Sequence, residues 1–239
     1  MGNSLYYVLL IYFTLGAIII VLINRKKSKH EISQAWIKFG VYFGITSVLY
    51  FSILYDLNVF SFLTGLIVVF SLLEILRMRK ITKKNSLGNR VLLLATLPLI
   101  GFFAFSFLSA KILMFTFFIT MTFDAFSQMS GQLFGKTKIL PSISPNKTLG
   151  GLSGGLILAL LSSCFIGDYL DWKVETSLML GLFVSIFAFL GDLAASLIKR
   201  KFGVKDFSSF IPGHGGFLDR FDSFIVSGAG MLVIQISIK

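Results

Sequence analysis

Between Asp192 and Ser223 an otherwise apolar chain gathers Asp192, Ser196, Lys199, Arg200, Lys205, Asp206, His214, Asp219, Arg220 and Asp222. On a helix, Asp192, Ser196 and Lys199 stand at i, i+4 and i+7 and share one face, with Arg200 beside them. A carboxylate, a hydroxyl and two cations on one stripe suit a metal-bound phosphate. The carboxylate holds the metal and the cations hold phosphate oxygens. Snorkelling explains a Lys or Arg at a membrane edge, but not Asp192. Lys205 and Asp206 follow in a loop. Three glycines then surround His214 and let backbone approach a ligand closely. His214 suits either acid–base work or hydrogen bonds that orient the loop. Asp219 and Asp222 share a face if helical, and suit a second metal or a brace for the first. The only other histidine is His30 and the only cysteine is Cys164, which leaves no zinc set. Oxygen donors beside phosphate sites point to Mg²⁺.

A second cluster precedes it. Asp124 lies inside an apolar run, and an acid at membrane depth marks function by default. Gly131, Gly135, Lys136 and Lys138 follow, and Ser144, Pro145, Asn146, Lys147 and Thr148 lead into a helix. Small and hydroxyl residues with a lysine at a helix start make an anion site, because free N–H groups and the helix dipole favour phosphate. Gly150, Gly151, Gly154 and Gly155 form two overlapping G-x-x-x-G pairs, expected to pack helices closely.

The elements that position these residues are membrane helices. The chain has 239 residues, 55% of them hydrophobic, with a mean hydropathy of +0.85. A spanning helix takes about 20 apolar residues. Apolar runs at 5–23, 35–54, 59–76, 91–109, 112–130, 149–167, 176–198 and 223–238 predict an all-α polytopic membrane protein with about eight transmembrane helices. The runs are too continuously apolar for barrel strands. Residues 1–110 read as N-terminal membrane spans, and 111–239 as the membrane region that carries the chemistry. The first run lacks a basic n-region and a small-residue cleavage site, so it reads as a retained span. The net charge is +11, and 18 of the 22 Lys and Arg residues fall in the odd-numbered connections. The positive-inside rule then places both motif loops in the cytoplasm. A basic balance in such a chain reports orientation and anionic lipid rather than nucleic acid. Composition suits a bacterial cytoplasmic membrane.

The order S-x-x-K-R, K-D, P-G-H-G-G-x-x-D-R-x-D over Ser196–Asp222 resembles the signature of the phosphatidate cytidylyltransferases, the CDP-diacylglycerol synthases. The order D…G…L-F-G-K…P-x-I-S-P-N-K-T from Asp124 to Thr148 is similar to a second region of that family. The resemblance covers Asp124 to Ser223. It implies the reaction CTP + phosphatidic acid → CDP-diacylglycerol + pyrophosphate, dependent on Mg²⁺, with a second metal admitted. It implies Asp192 and Asp219 as metal ligands, with Asp124 and Asp222 as further acids. Lys199 and Arg200 join Asp192 and Asp219 as the catalytic set. Ser144, Asn146, Lys147, Thr148, Ser196, Lys205, His214 and Arg220 are the implied substrate contacts. A homodimer follows from the resemblance alone. The chain departs from the family at Leu149-Gly150-Gly151, where an aromatic residue, Glu and Gly usually stand. That departure leaves a rival reading, a CTP-dependent transferase or kinase acting on a polyprenol or another lipid phosphate. A transporter fits less well, because the charges gather at one membrane face rather than at midplane.

Overall fold

The computed structural model describes residues 2–25, 28–82, 85–210 and 215–238. They form eight helices and one hairpin: α1 (Gly2–Asn24), α2 (Lys29–Tyr55), α3 (Leu57–Thr82), α4 (Asn85–Phe105), α5 (Ala110–Phe134), β1 (Lys138–Leu140), β2 (Ser144–Thr148), α6 (Leu149–Tyr169), α7 (Val174–Phe202) and α8 (Phe217–Ile238). Each apolar run of the sequence lies largely within one of these helices. Among the described residues six are long and apolar enough to cross a membrane: α1, α2, α3, α5, α6 and α7. The apolar part of α4 is shorter, Asn89–Phe105, and α8 opens with Asp219, Arg220 and Asp222. The chain is a multi-pass membrane protein.

Local chemistry sets the helix ends. Ser28 and Glu31 form a capping box at the start of α2: the Glu31 N–H donates to Ser28 Oγ (3.3 Å) and the Ser28 N–H to Glu31 Oε2 (3.0 Å). Thr148 caps α6, its Oγ1 accepting the Gly151 N–H at 3.1 Å. Gly203, at φ +75°, ends α7 in the left-handed conformation that favours glycine.

Helix α5 is the centre of the bundle, buried without interruption from Leu113 to Phe123. Lipid tails are as apolar as Phe, so close approach and hydrogen bonds hold membrane helices together more than apolar burial does. The α5–α6 contact illustrates this. A Cβ at Gly151 would lie 2.7 Å from the Ser127 carbonyl, and one at Gly155 would overlap Ser127 Oγ. The glycines at 150–155 therefore pack helices, as their spacing predicts. Thr120 and Ser227 share a buried hydrogen bond of 2.8 Å from α5 to α8. Gly101 on α4 meets Ala229 on α8, and Gly191 on α7 meets the backbone of Asp222 and Ser223 on α8.

The hairpin is the one element of secondary structure among the described residues that the apolar runs do not predict. β1 and β2 pair antiparallel, Lys138 opposite Thr148 and Leu140 opposite Ser144, with an irregularity between. The segment expected simply to lead into a helix does so as a strand.

Candidate active site

Three parts of the chain meet at one end of α7. From α7 itself come Asp192, Ser196 and Lys199 on a common face, with Ser196 Oγ 3.4 Å from Asp192 Oδ1. From β2 comes Lys147, whose Nζ stands 2.9 Å from Asp192 Oδ2 and 4.4 Å from the centre of the Phe189 ring. From α8 comes Asp219. Lys199 Nζ donates to its Oδ1 at 2.6 Å, while the Phe207 and Gly216 N–H groups donate to Oδ2 at 2.8 and 2.9 Å. The Lys199–Asp219 pair is buried, with side-chain exposures of 13% and 1%. Removing one partner of such a pair costs about 3–5 kcal/mol, because the other charge is left buried and alone.

Arg200 is exposed and fastens the hairpin. Its Nε donates to the Ile143 carbonyl (3.1 Å) in the turn and its Nη1 to the Val204 carbonyl (3.3 Å). Asp124 enters from α5, where Ser223 Oγ donates to its Oδ1 at 3.1 Å. Asp192 and Asp222 lie within electrostatic reach of Asp124. Lys199 and Arg220 lie within reach of Asp222. The close approach at Gly191 explains this meeting, because it brings α7 onto the α8 backbone at Asp222.

The structure thus draws Asp124, Asp192, Asp219, Asp222, Lys147, Ser196 and Lys199 into one neighbourhood. Ser144 lies half-buried in β2, Asn146 is exposed there, and the buried Thr148 uses one lone pair of its hydroxyl to cap α6. Lys205 and Arg220 are exposed. His214 lies outside the described residues. Among the described residues no three His, Cys, Asp or Glu side chains converge closely enough to hold a metal by themselves. The motif glycines have separate reasons. Gly215 adopts φ +81° and would place a Cβ 2.9 Å from Asp219 Oδ2. A Cβ at Gly216 would overlap the Glu74 carboxyl group. Gly150 presses on the end of α5, where a Cβ would meet the Phe134 carbonyl at 3.0 Å.

Two residues escaped the sequence reading. Glu74, buried in α3, accepts hydrogen bonds from the start of α8. Its signal was present, since it is an acid inside the apolar run S-L-L-E-I-L, as Asp124 is inside its own. Tyr42 of α2 lies within electrostatic reach of Asp124 and Arg220, and nothing in its sequence context distinguishes it from the other aromatics.

A model of the cytidylyltransferase family matches residues 3–237. The chain belongs to the cytidylyltransferase family. Within it, the chain is 42% identical over 128 residues to the phosphatidate cytidylyltransferase of Staphylococcus saprophyticus, covering 52% of this chain and 49% of that protein. It is 43% identical over 115 residues to that of Staphylococcus aureus (47% and 44% covered), and 44% identical over 115 residues to that of Staphylococcus haemolyticus (47% and 44%). The chain spans about half the length of the curated relatives it matches. Acids and cations facing one another suit chemistry on phosphates, which must be held against their own repulsion.

Proposed function

We propose that this protein transfers a cytidylyl group from CTP to phosphatidic acid, giving CDP-diacylglycerol and pyrophosphate. The observation that carries the reading is the pair of ion pairs, Lys147–Asp192 and Lys199–Asp219, at one end of a bundle of membrane helices in a cytidylyltransferase. The phosphate oxygen of the lipid attacks the α-phosphorus of CTP. A P–O bond forms there, and the bond to the departing pyrophosphate breaks. A phosphate monoester has a second pKa of about 6, so the nucleophile is already an anion and needs no strong base. The protein's task is to hold anions and align them.

Lys147, Lys199, Arg200, Lys205 and Arg220 supply the cations for phosphate oxygens. Ser144, Asn146, Thr148, Ser196 and His214 complete the substrate contacts. The donor set suits Mg²⁺, because it is made of carboxylate oxygens. Ammonium groups already stand on Asp192 and Asp219, where positive charge is called for. Asp192 and Asp219 would hold the cation, with Asp124 and Asp222 beside them. Substrate phosphates and water would complete its shell, since Mg²⁺ commonly takes only one or two carboxylates from protein. When bound, the ion neutralises phosphate charge. We place the site on the cytoplasmic face from the distribution of Lys and Arg, and take the homodimer as part of the same reading.

The test is turnover by purified protein in detergent with labelled CTP, Mg²⁺ and phosphatidic acid. CDP-lipid that needs both Mg²⁺ and the lipid supports the proposal. No product from folded protein rejects it. Gly150 favours one second reading, the same chemistry on another lipid phosphate, and a panel of phosphorylated lipids and polyprenols in the same assay separates the two.

A further inference from the structure

We propose that Glu74 is a positioning residue for the reaction, setting the N-terminus of α8, and with it Asp219, from a helix outside the motif region. The inference rests on the cytidylyl-transfer reading for its kinetic consequence, but on geometry for its cause.

The first N–H groups of a helix have no partner within it. Usually the residue before the helix supplies a capping oxygen. Here that residue is Gly216, which has no side chain. Glu74 supplies the oxygens instead. Its Oε1 accepts the Phe217 N–H and its Oε2 the Leu218 N–H, both at 2.9 Å. Ser208 Oγ, from the loop between α7 and α8, donates to Oε1 at 2.6 Å. The preceding N–H, of Gly216, goes to Asp219 Oδ2. Three successive donors at this helix start are therefore divided between two acids, and the helix dipole favours negative charge there.

The contact admits little variation. A Cβ at residue 216 would overlap the Glu74 carboxyl group, so the second glycine of the H-G-G run is required by Glu74. Phe70, one turn before Glu74, stacks on Phe217 at 4.7 Å, and Phe210 lies 5.5 Å from both rings. Helix α3 thus grips the loop and the start of α8 with one acid and one aromatic face. Asp219 follows Phe217 by two residues, so any shift of that turn moves its carboxylate and the Lys199 bonded to it.

The experiment compares wild type, Glu74→Gln, Glu74→Asp and Gly216→Ala by amide hydrogen exchange, thermal unfolding and steady-state kinetics. In Glu74→Gln, exchange of the segment holding Phe217 and Leu218 is expected to speed up about tenfold or more, while α5 and α6 keep their protection. The kcat is expected to fall about tenfold or more with KM for CTP nearly unchanged, and Glu74→Asp to recover part of it. Gly216→Ala acts on the same contact. It should mimic Glu74→Gln, and the double variant should be no worse than either alone. Wild-type kcat and exchange in Glu74→Gln overturn the proposal. So does exchange that rises throughout the bundle, which would make Glu74 a general structural residue. If Glu74→Gln does not fold, wild-type kcat in Gly216→Ala overturns it. If wild type itself makes no CDP-lipid, the cytidylyl-transfer reading fails, while the exchange data still decide whether Glu74 sets α8.

Discussion

Lys147 Nζ and Asp192 Oδ2 stand 2.9 Å apart and tie a two-stranded hairpin to the C-terminal half of α7. The lysine is the one that an anion site at the start of α6 would use, and the aspartate is the one that a metal would use. Between them the two side chains would offer an ammonium group to phosphate and a carboxyl group to a metal.

Lys147→Met is therefore expected to lower kcat/KM for CTP by about a hundredfold or more. Its cost to folding should be below that of breaking the Lys199–Asp219 pair: Lys147 is 17% exposed, but Asp192 is 42% exposed and keeps water around its charge when the lysine is gone, while the methionine still covers the Phe189 ring. Kinetics beside a thermal melt would check this. A melt that collapses with activity would assign Lys147 to the fold instead.

Asp219→Asn should do the opposite on stability. The amide oxygen can still accept an N–H from Phe207 or Gly216, but Lys199 loses its buried counter-charge. We expect a drop of about 3 kcal/mol or more in unfolding free energy, together with loss of nearly all CDP-lipid formation. The double variant Lys199→Met/Asp219→Asn should regain stability without regaining turnover. Retention of more than about a tenth of wild-type turnover in Asp219→Asn would contradict the assignment.

Gly155→Leu should disrupt α5 against α6, because its side chain enters the space of Ser127. Overpacking of this kind costs about 1–3 kcal/mol or more. Gly40→Leu is the matched control, since a Cβ there meets nothing within 4 Å. Fluorescence-detected thermal stability in detergent would read both, and equal stabilities would remove the close-packing account.

Membrane sidedness can be read with single cysteines in a Cys164→Ser background. Ser142→Cys, in the exposed hairpin turn, should react with an impermeant maleimide only from the cytoplasmic side. Asp171→Cys should react only from the other side. Asp171 is 90% exposed, and Lys111 reaches it (3.7 Å) and the Leu170 carbonyl (3.0 Å). The reverse pattern would invert the orientation drawn from the basic residues.

The helices were legible because continuous apolar runs leave few other structures in lipid, and helices form over all eight of the predicted runs. The Asp192–Ser196–Lys199 face was legible because a helix fixes i, i+4 and i+7. The hairpin was not, since Lys138–Leu140 is too short to show alternation, and Pro145 and Asn146 are poor strand formers. The pairing of Lys199 with Asp219 was not legible either, because it depends on how a loop returns between two helices. Glu74 shows a different kind of miss. The sequence shows an acid in an apolar run, but its partners lie 143 and 144 residues away, beyond the reach of any local pattern.

That separation has a consequence for synthesis. A growing chain presents its N-terminal part first, so α3 enters the bilayer while Phe217 and Leu218 do not yet exist. Until α8 arrives, the Glu74 carboxylate lacks the backbone donors of Phe217 and Leu218. A nascent chain stalled before residue 217 should therefore be loosely held around α3 and open to membrane proteases. Arrival of α8 is then the event that gives Glu74 its two backbone donors and fastens α3 to the rest of the bundle.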